Sequence, residues 1–248
     1  MSFCVIIPAR YKSKRLPGKP LIKINGKTLI ERTYQNLIKR IEKKNIFITS
    51  DSKLVLDEMK QHTNNLILIN KYCKNGTERC SYALDKIPKQ FKYLLICSCD
   101  MPFLTEESIN FIISKKTLLK QKNLDGITMH AKINSKKTYN DHSIAKVVLN
   151  KYNEILYLSR SPIPFGYKKR HNYLSHHGLV ILKREILSRY KKYPKSTLEA
   201  SEDNEWLRLI ENGYKIKSFL FKKLNPEINT KKDLKKYFLH NFVKQKET

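Results

Sequence analysis

A basic loop directly follows the first short apolar segment of the chain. Residues 3–7 read FCVII, and residues 8–21 then read PARYKSKRLPGKPL. Gly18 permits a tight turn beside a ligand, and cations together with backbone N–H groups can neutralise the oxygens of a triphosphate. A merely solvated basic loop is the alternative interpretation. The cations of the loop are Arg10, Lys12, Lys14, Arg15 and Lys19.

The loop differs from two common nucleotide-binding patterns. It contains neither GxxxxGK[ST] nor GxGxxG, which argues against a P-loop ATPase and against a dinucleotide-binding protein. Its position nevertheless favours a ligand site, because ligands of open α/β sheets bind beyond the carboxyl ends of the strands.

Short β-branched segments alternate with helical patterns in the first half of the chain. This alternation predicts an α/β fold with a mostly parallel, doubly wound sheet flanked by helices. Apolar residues at helical spacing run from Leu29 to Ile41, and Thr105 begins a helix that ends near Ser114. The predicted strands are 3–7, 46–49, 66–69 and 93–97.

The middle of the chain lacks helical patterns between its apolar segments. Segments 126–131, 144–149 and 154–158 follow one another, and the last two flank a tight turn from Asn150 to Asn153. We expect one domain, 1–248, with an inserted antiparallel sub-domain at about 126–176 that is an insertion or a dimerisation element. The later elements are predicted as a strand at 178–182, helices at 183–192 and 201–212, a strand at 215–221 and a helix from Thr230.

The composition is typical of a soluble, cytoplasmic protein. No apolar run approaches the roughly 18 to 20 residues of a membrane span. The five cysteines form no CxxC pair, so neither a zinc site nor a disulfide framework is expected. Cys97 and Cys99 are predicted to be small packed residues on one face of a strand.

The net charge of +28 raises the question of nucleic-acid binding. Of the 50 basic residues only 10 are Arg, and the 40 Lys are spread along the whole chain. A dedicated nucleic-acid surface more often concentrates Arg with aromatic residues. We therefore expect a lysine-coated, solvated surface and no specific nucleic-acid site.

Six ordered blocks resemble the CMP-Kdo synthetases, which are 3-deoxy-manno-octulosonate cytidylyltransferases. The resemblance extends over nearly the full chain. It implies a nucleotide-diphospho-sugar transferase-like fold, a homodimer, and transfer of CMP from CTP to the acidic sugar Kdo with Mg²⁺ as cofactor and pyrophosphate as leaving group. The blocks are RLPGKPL (15–21), NGTER (75–79), KVVL (146–149), YLSRSPIP (157–164), HHGL (176–179) and STLEASEDNEWLRLIENGYKI (196–216).

The resemblance also implies roles for individual residues. Arg10 and Lys19 would neutralise phosphates, with Lys19 facing the leaving pyrophosphate, and Asp100 would bind Mg²⁺, since a hard cation prefers carboxylate oxygen. Arg160 suits the sugar carboxylate, although from its pattern alone it could equally be a surface strand residue. The substrate contacts are assigned to Arg15, Asn75, Gly76, Thr77, Arg79, Arg160, His176 and Glu199.

The chain departs from the pattern of that family in three places, one of which is a pair of residues. Ser98 and Cys99 replace a usual Gln-Gly pair, and Ser175 replaces an Arg. Asn229 replaces the Asp that is the second metal ligand; its amide oxygen can still bind Mg²⁺ but brings no negative charge. Two alternatives stay open: a cytidylyltransferase for another acidic sugar, such as an amino-Kdo or a nonulosonic acid, and a non-catalytic nucleotide- or nucleic-acid-binding protein.

The last block also contains a regular set of acidic residues. Glu199, Glu202 and Glu205 recur every three residues and would share one face of the predicted helix 201–212 and its N-terminal extension. An acidic solvent stripe is the alternative to a role of Glu199 near the sugar.

Overall fold

Strands and helices alternate in the first half of the chain. The computed structural model describes residues 2–13, 16–167, 173–223 and 225–235. All four strands and both helices predicted for this half are present, although the first helix ends at Leu37 and not near Ile41. The elements are β1 (Phe3–Ala9), β2 (Lys23–Ile24), β3 (Lys27–Thr28), α1 (Leu29–Leu37), β4 (Ile46–Ser50), α2 (Lys53–Met59), β5 (Leu66–Leu68), α3 (Gly76–Ala83), β6 (Tyr93–Ile96) and α4 (Glu106–Ser114).

Side-chain caps fix where three of these helices begin. Thr28 accepts a hydrogen bond from Glu31 N at the start of α1, and Thr105 accepts one from Ser108 N at the start of α4. Asn75 caps α3 in the same way. Each cap satisfies a backbone donor that has no partner inside its helix.

The second half continues the sheet and adds a hairpin. Residues 231–235 are also helical, and the Asp233 carboxylate accepts from Thr230 N at 2.7 Å, which confirms the predicted start of that helix. The elements are β7 (Gly126–Lys132), α5 (Lys136–Tyr139), β8 (Lys146–Leu149), β9 (Ile155–Ser159), β10 (Leu174–Lys183), α6 (Arg184–Tyr190), α7 (Thr197–Glu202), α8 (Leu207–Glu211) and β11 (Ile216–Leu220).

One nine-stranded mixed sheet organises the described chain. Its order is β11-β7-β10-β6-β1-β4-β5, and β8 branches from β10 and pairs with β9. The neighbours of β1 are parallel, whereas β10 is antiparallel to both β6 and β7. The segment expected as an inserted sub-domain, 126–176, is therefore bounded by strands of the main sheet. Six of the seven residues of β7 are buried, as expected of an internal strand. Within this segment, α5 and the β8–β9 hairpin are the described elements that lie outside the main strand order.

Helices cover both faces of the sheet, so alternate strand residues enter different core layers. Val5 and Ile7 of β1 pack in the layer that includes α1, α2 and α4. Cys4 and Ile6 pack in the layer that includes α3, α6 and α8. Cys97 and Cys99 are both buried in the first layer, which confirms their prediction as packed residues.

The predicted helix 201–212 is wrong in its extent. The structure has two short helices, α7 and α8, because Asp203 adopts a left-handed conformation with φ of 47° and ends α7. The Asn204 side chain then accepts from Trp206 N at 3.1 Å and sets the turn between the two helices. Glu205 consequently leaves the face that it was predicted to share with Glu199 and Glu202.

No helix within the described residues combines the length and the apolar character that a membrane span needs.

Candidate active site

The basic loop leaves the carboxyl end of β1 and is folded back on itself. Gly18 has φ of 66°, and its N–H donates to Tyr11 O at 3.0 Å. Tyr11 N donates to Asp51 Oδ1 at 2.9 Å, which ties the loop to the end of β4. Arg10 lies half-buried directly after β1. The predicted substrate residue Arg15 lies outside the described residues.

Lys19 brings the loop to the end of β6. Its ammonium lies 2.5 Å from Asp100 Oδ2 and 3.3 Å from Asn229 Oδ1. Burial opposes the charged form of Lys19, but the carboxylate of Asp100, assisted by that of Glu227, outweighs it and raises the pKa of Lys19. Three residues that the sequence analysis assigned to phosphate and metal binding are therefore brought together, around an ammonium that stays protonated at neutral pH.

Glu227 also belongs to this cluster, and the sequence analysis missed it. Asn229 Nδ2 donates to Glu227 Oε2 at 3.2 Å. Burial and the charge of Asp100 raise the pKa of Glu227 to about 7. The one hint in the sequence was that Glu227 lies two residues before Asn229, a spacing that places two side chains on the same side only where the segment is extended.

Loop packing holds this cluster in place. Leu16, Ile24, Leu29 and Ile228 form a small buried apolar cluster that joins the basic loop to the segment containing Asn229. Ile228 N also donates to Asp100 O at 2.9 Å. The two segments that carry Lys19 and Asn229 are therefore fixed relative to Asp100 by both apolar packing and a backbone hydrogen bond.

The polar atoms of the cluster fit a hard divalent cation. Asp100 is 6% exposed, and its Oδ1 is buried without a hydrogen-bond partner among the described residues. Within those residues, no group of three or more His, Cys, Asp and Glu side chains is arranged to hold a metal. The carboxylate of Asp100 and the amide oxygen of Asn229, which both contact the Lys19 ammonium, are the kinds of oxygen that bind Mg²⁺; this cation commonly uses one or two protein carboxylates together with waters and substrate phosphates.

The NGTER block forms the start of α3 and is held mainly by protein contacts. Asn75 Oδ1 accepts from Glu78 N at 2.8 Å, and Asn75 Nδ2 donates to Glu199 Oε1 at 2.7 Å. A Cβ at Gly76 would lie 3.3 Å from Pro8 Cγ, so the helix start packs closely on the end of β1. The predicted nucleotide residues of this block therefore lie at the same edge of the sheet as the basic loop.

The other two predicted residues of that block are buried. Thr77 is fully buried, and its backbone N–H donates to Glu205 Oε2 at 3.1 Å. Arg79 is 2% exposed, donates to Ile69 O at 3.1 Å and lies 3.5 Å from Asp51 Oδ2. Asp51 thus links the basic loop to α3, a role that the sequence analysis did not assign to it.

Glu199 is engaged in a buried ion pair. Its two carboxylate oxygens accept from Arg208 Nε at 2.6 Å and Arg208 Nη2 at 2.8 Å, and Arg208 is fully buried. Ser196 caps α7 and completes a capping box with Glu199. The geometry therefore places Glu199 in the packing of α7 and α8 against α3, and its burial, with only 3% of the residue exposed, is incompatible with an acidic solvent stripe.

Glu202 joins α7 to the hairpin. It accepts from Ser159 Oγ and Arg160 N, both at 2.7 Å. Arg160 itself donates to the backbone carbonyls of His142, Ser143, Glu202 and Asp203. The guanidinium is therefore fixed between the loop before β8 and the end of α7.

His176 lies on β10 beside an irregularity in the sheet. The register between β10 and β7 shifts between His176 and Val180. Burial lowers the pKa of His176 to about 3, and the neighbouring His177 and His130 contribute to the shift. His176 is therefore a neutral imidazole at physiological pH, and its Nε2 lies 3.2 Å from Thr128 Oγ1.

The departures at Cys99 and Ser175 leave small buried side chains. Cys99 is 3% exposed, and burial raises the pKa of its thiol to about 12. Ser175 Oγ donates to Ala131 O at 3.3 Å. Neither residue directs a charged group toward the cluster of Lys19 and Asp100.

Comparisons with known proteins agree with this arrangement. A cytidylyltransferase family model matches residues 4–217. The 3-deoxy-manno-octulosonate cytidylyltransferase of Parabacteroides distasonis is 33% identical over 95% of this chain and 96% of its own length. The protein of that name from Fusobacterium nucleatum is 35% identical over 88% of this chain and 87% of its own length.

A solved structure extends the comparison to three dimensions. The structure of CMP:2-keto-3-deoxy-manno-octonic acid synthetase complexed with CTP superposes with a TM-score of 0.85 and 27% sequence identity. The match covers 99% of this chain and 100% of that one. The chain therefore belongs to the cytidylyltransferase family and, within it, to the 3-deoxy-manno-octulosonate cytidylyltransferases.

Proposed function

We propose that this protein transfers CMP from CTP to 3-deoxy-D-manno-octulosonate (Kdo) and releases pyrophosphate. The observation that carries the proposal is the contact of Lys19 with Asp100 at the carboxyl ends of the central strands. It occurs in a chain whose fold matches that of a synthetase solved with CTP. Nucleotidyl transfer requires positioning and charge neutralisation more than covalent help, and an ammonium beside a metal-binding carboxylate provides both.

The reaction is an in-line displacement at the α-phosphorus of CTP. The oxygen of the sugar's anomeric hydroxyl forms a bond to this phosphorus while the bond to the bridging oxygen of the β-phosphate breaks. The electron pair of that bond leaves with pyrophosphate, and the hydroxyl proton passes to solvent. Negative charge develops on the leaving group, so the cations that face it lower the barrier.

Lys19 and Arg10 are the proposed phosphate-binding cations. Lys19 remains protonated because its pKa is raised; its ammonium would stabilise the departing pyrophosphate. Arg10 follows β1 directly and would hold the triphosphate at the entrance of the basic loop, together with Arg15. The amino end of α3, at Asn75 and Gly76, lies at the same edge of the sheet, where backbone N–H groups favour an anionic ligand.

Mg²⁺ is the proposed cofactor. When bound, it would neutralise phosphate charge and polarise the phosphorus–oxygen bonds. Asp100 would hold it through the unpartnered Oδ1, with the amide oxygen of Asn229 as the second protein oxygen implied by the resemblance. Lys19 sits between these two residues and orients both.

The sugar side is proposed to involve Arg160 and His176. Neutral His176 suits hydrogen bonds to sugar hydroxyls and would not repel Mg²⁺. Arg160 is proposed to face the sugar carboxylate with a guanidinium whose position is fixed by its backbone contacts. Glu199 would act only by holding Asn75 and Arg208 in place.

We further propose a cytoplasmic homodimer. The five free cysteines are all buried, which suits a reducing compartment. Large apolar side chains remain exposed near the β8–β9 hairpin, as expected of a subunit contact; they include Tyr152, Leu156 and Leu220. A monomeric mass in analytical ultracentrifugation at micromolar concentration would contradict the dimer.

Pyrophosphate release tests the activity. The purified protein is incubated with Mg²⁺, one nucleoside triphosphate and one acidic sugar, and phosphate is measured after pyrophosphatase treatment. We expect release with CTP and Kdo that exceeds release with ATP or GTP, and no release without sugar. Release that is equal with an amino-Kdo or a nonulosonic acid would broaden the sugar assignment, and no release with any sugar would refute catalysis.

A further inference from the structure

Glu227 lies beside the proposed metal residues and has no role in the function proposed above. Ile228 is buried, whereas Glu227 and Asn229 on either side of it are half-buried, so these two side chains point away from the apolar cluster. Asn229 bridges the group, because its Nδ2 donates to Glu227 Oε2 and its Oδ1 accepts from Lys19. Glu227 is therefore in the same hydrogen-bonded cluster as Asp100.

A glycine makes room for the Glu227 carboxylate. A Cβ added at Gly178 would lie 2.8 Å from Glu227 Oε1, closer than real Cβ atoms approach a neighbour. Gly178 has no positive φ, so its backbone conformation does not itself require glycine. Glycine at this point of β10 therefore leaves the space that the carboxylate occupies, and a larger residue would displace the end of the Glu227 side chain.

Among the described residues, this cluster contains more carboxylates than cations. Asp100 and Glu227 are two carboxylates, and Lys19 is the ammonium that contacts the first of them. Asp100 Oδ1 is buried and has no hydrogen-bond partner among the described residues. A buried carboxylate oxygen without a partner is costly unless a donor or a metal satisfies it.

We propose that Glu227 is a protein ligand of the divalent cation and supplies, with Asp100, the two carboxylates of the site. Asn229 then has a positioning role in addition to its amide oxygen, because its side-chain N–H orients the Glu227 carboxylate as an outer hydrogen-bond donor does around a metal. Two carboxylates match the usual protein contribution to Mg²⁺. The inference rests on the proposed function, since it names a residue of that same site.

Mn²⁺ binding tests the assignment without turnover. Mn²⁺ takes the same oxygen ligands as Mg²⁺, and the loss of its free-ion electron paramagnetic resonance signal beyond that caused by CTP alone measures binding to the protein. The titration is done with CTP present and no sugar, on wild type, Glu227→Gln and the control Glu185→Gln, whose side chain is exposed on α6. We expect the Kd of Mn²⁺ to rise about tenfold or more in Glu227→Gln and to be unchanged in Glu185→Gln. A wild-type Kd in Glu227→Gln overturns the assignment.

A second variant guards against a merely structural loss. Asn229→Asp in the Glu227→Gln background returns a carboxylate to the cluster two residues further on. Recovery of Mn²⁺ affinity in the double variant supports a ligand role, because a packing defect at Glu227 would persist. Thermal unfolding without metal is measured to check that both variants are folded.

The outcomes separate this inference from the proposed function. If wild type transfers CMP while Glu227→Gln binds Mn²⁺ normally, the function stands and the ligand assignment falls. If wild type fails to transfer CMP but its Mn²⁺ binding depends on Glu227, the proposed function falls and the ligand assignment stands. Absence of Mn²⁺ binding to wild type with CTP present would also overturn the assignment.

Discussion

The Lys19 ammonium lies 2.5 Å from Asp100 Oδ2, although 81 positions separate the two residues in the sequence. The contact joins the loop after β1 to the end of β6, and these two strands are neighbours in the parallel part of the sheet. An edge where two parallel strands end is where ligands of α/β proteins bind. The Lys19–Asp100 pair therefore lies where the fold is expected to bind a ligand, and both residues have a role in the proposed reaction.

Lys19→Ala is expected to lower turnover strongly. Loss of one charged contact to a transition state typically costs roughly 100- to 1,000-fold in rate. Steady-state kinetics with CTP and Kdo measure the effect, and Lys23→Ala is the control, since Lys23 is exposed on β2. Near-normal turnover in Lys19→Ala would mean that the loop is only a basic surface.

Asn229→Asp is expected to make the stability of the protein depend more strongly on Mg²⁺. The new carboxylate would be repelled by Glu227 and attracted by the Lys19 ammonium, which lies 3.3 Å from Asn229 Oδ1. Because the added negative charge strengthens ligation of a divalent cation, Mg²⁺ should raise the melting temperature more than it does in wild type. The Mg²⁺ concentration for half-maximal rate should fall as well.

Thermal unfolding and rate measurements over a Mg²⁺ series check this prediction. Asn140→Asp is the matched control, because Asn140 is exposed and its substitution adds the same negative charge at the surface. If Asn229→Asp left both the melting temperature and the Mg²⁺ dependence unchanged, the metal would have to lie elsewhere.

Arg208→Met is expected to destabilise the protein and to affect catalysis only through folding. The variant leaves the Glu199 carboxylate buried without its two-point partner, which typically costs about 3–5 kcal/mol. Urea unfolding measures the loss. Lys60→Met, which removes an exposed pair with Asp57, should cost about 1 kcal/mol or less.

A different result would change the role assigned to Glu199. If Arg208→Met kept normal stability but raised the KM for the sugar, Glu199 would be a substrate contact after all.

Stability is expected to fall as the pH drops below about 6.5. Burial lowers the pKa of His130 and of His177 to about 4, and the ordinary value is 6.5. Between these values the unfolded chain binds protons that the folded chain does not, so acidification favours unfolding. The stability that these two histidines contribute should be fully present above a pH of about 6.5 and fully lost below a pH of about 4.

Urea unfolding from pH 7.5 to pH 4.5 measures this slope. His130→Gln removes one titrating group and retains a hydrogen-bonding side chain for Ser218, which now lies 2.8 Å from His130 Nδ1. The slope should be smaller in this variant. An identical slope in wild type and His130→Gln would show that His130 is not protected from protons in the folded state.

Local patterns predicted much of the fold. The strands around β1 are short apolar segments whose burial is set by their own residues, and the caps at Thr105 and Thr230 are visible as residue types. The break between α7 and α8 was not visible, because a left-handed Asp203 has no reliable sequence signal. The strands β7 and β10 were assigned to an insertion because pairing between distant strands is not encoded locally.

The site shows the same difference between residues that local sequence patterns identify and residues whose position depends on distant parts of the chain. The resemblance assigned Lys19 to phosphate binding and Asp100 and Asn229 to metal binding, and the structure brings the three side chains into contact. The position of Glu199 depends on Asn75, which is 124 residues away, so its buried pairing could not be read from its own block. Glu227 was missed because it lies in a segment that is neither helix nor strand.

Product analysis with labelled CTP tests the central claim most directly. The protein is incubated with Mg²⁺, Kdo and CTP that carries ³²P at the α-phosphate, and the products are separated by anion-exchange chromatography. The account predicts that the label moves from CTP to CMP-Kdo in step with pyrophosphate release, and that the transfer is lost in Asp100→Asn. Label that stays in CTP, or that appears only in free CMP whether or not Kdo is present, would contradict it.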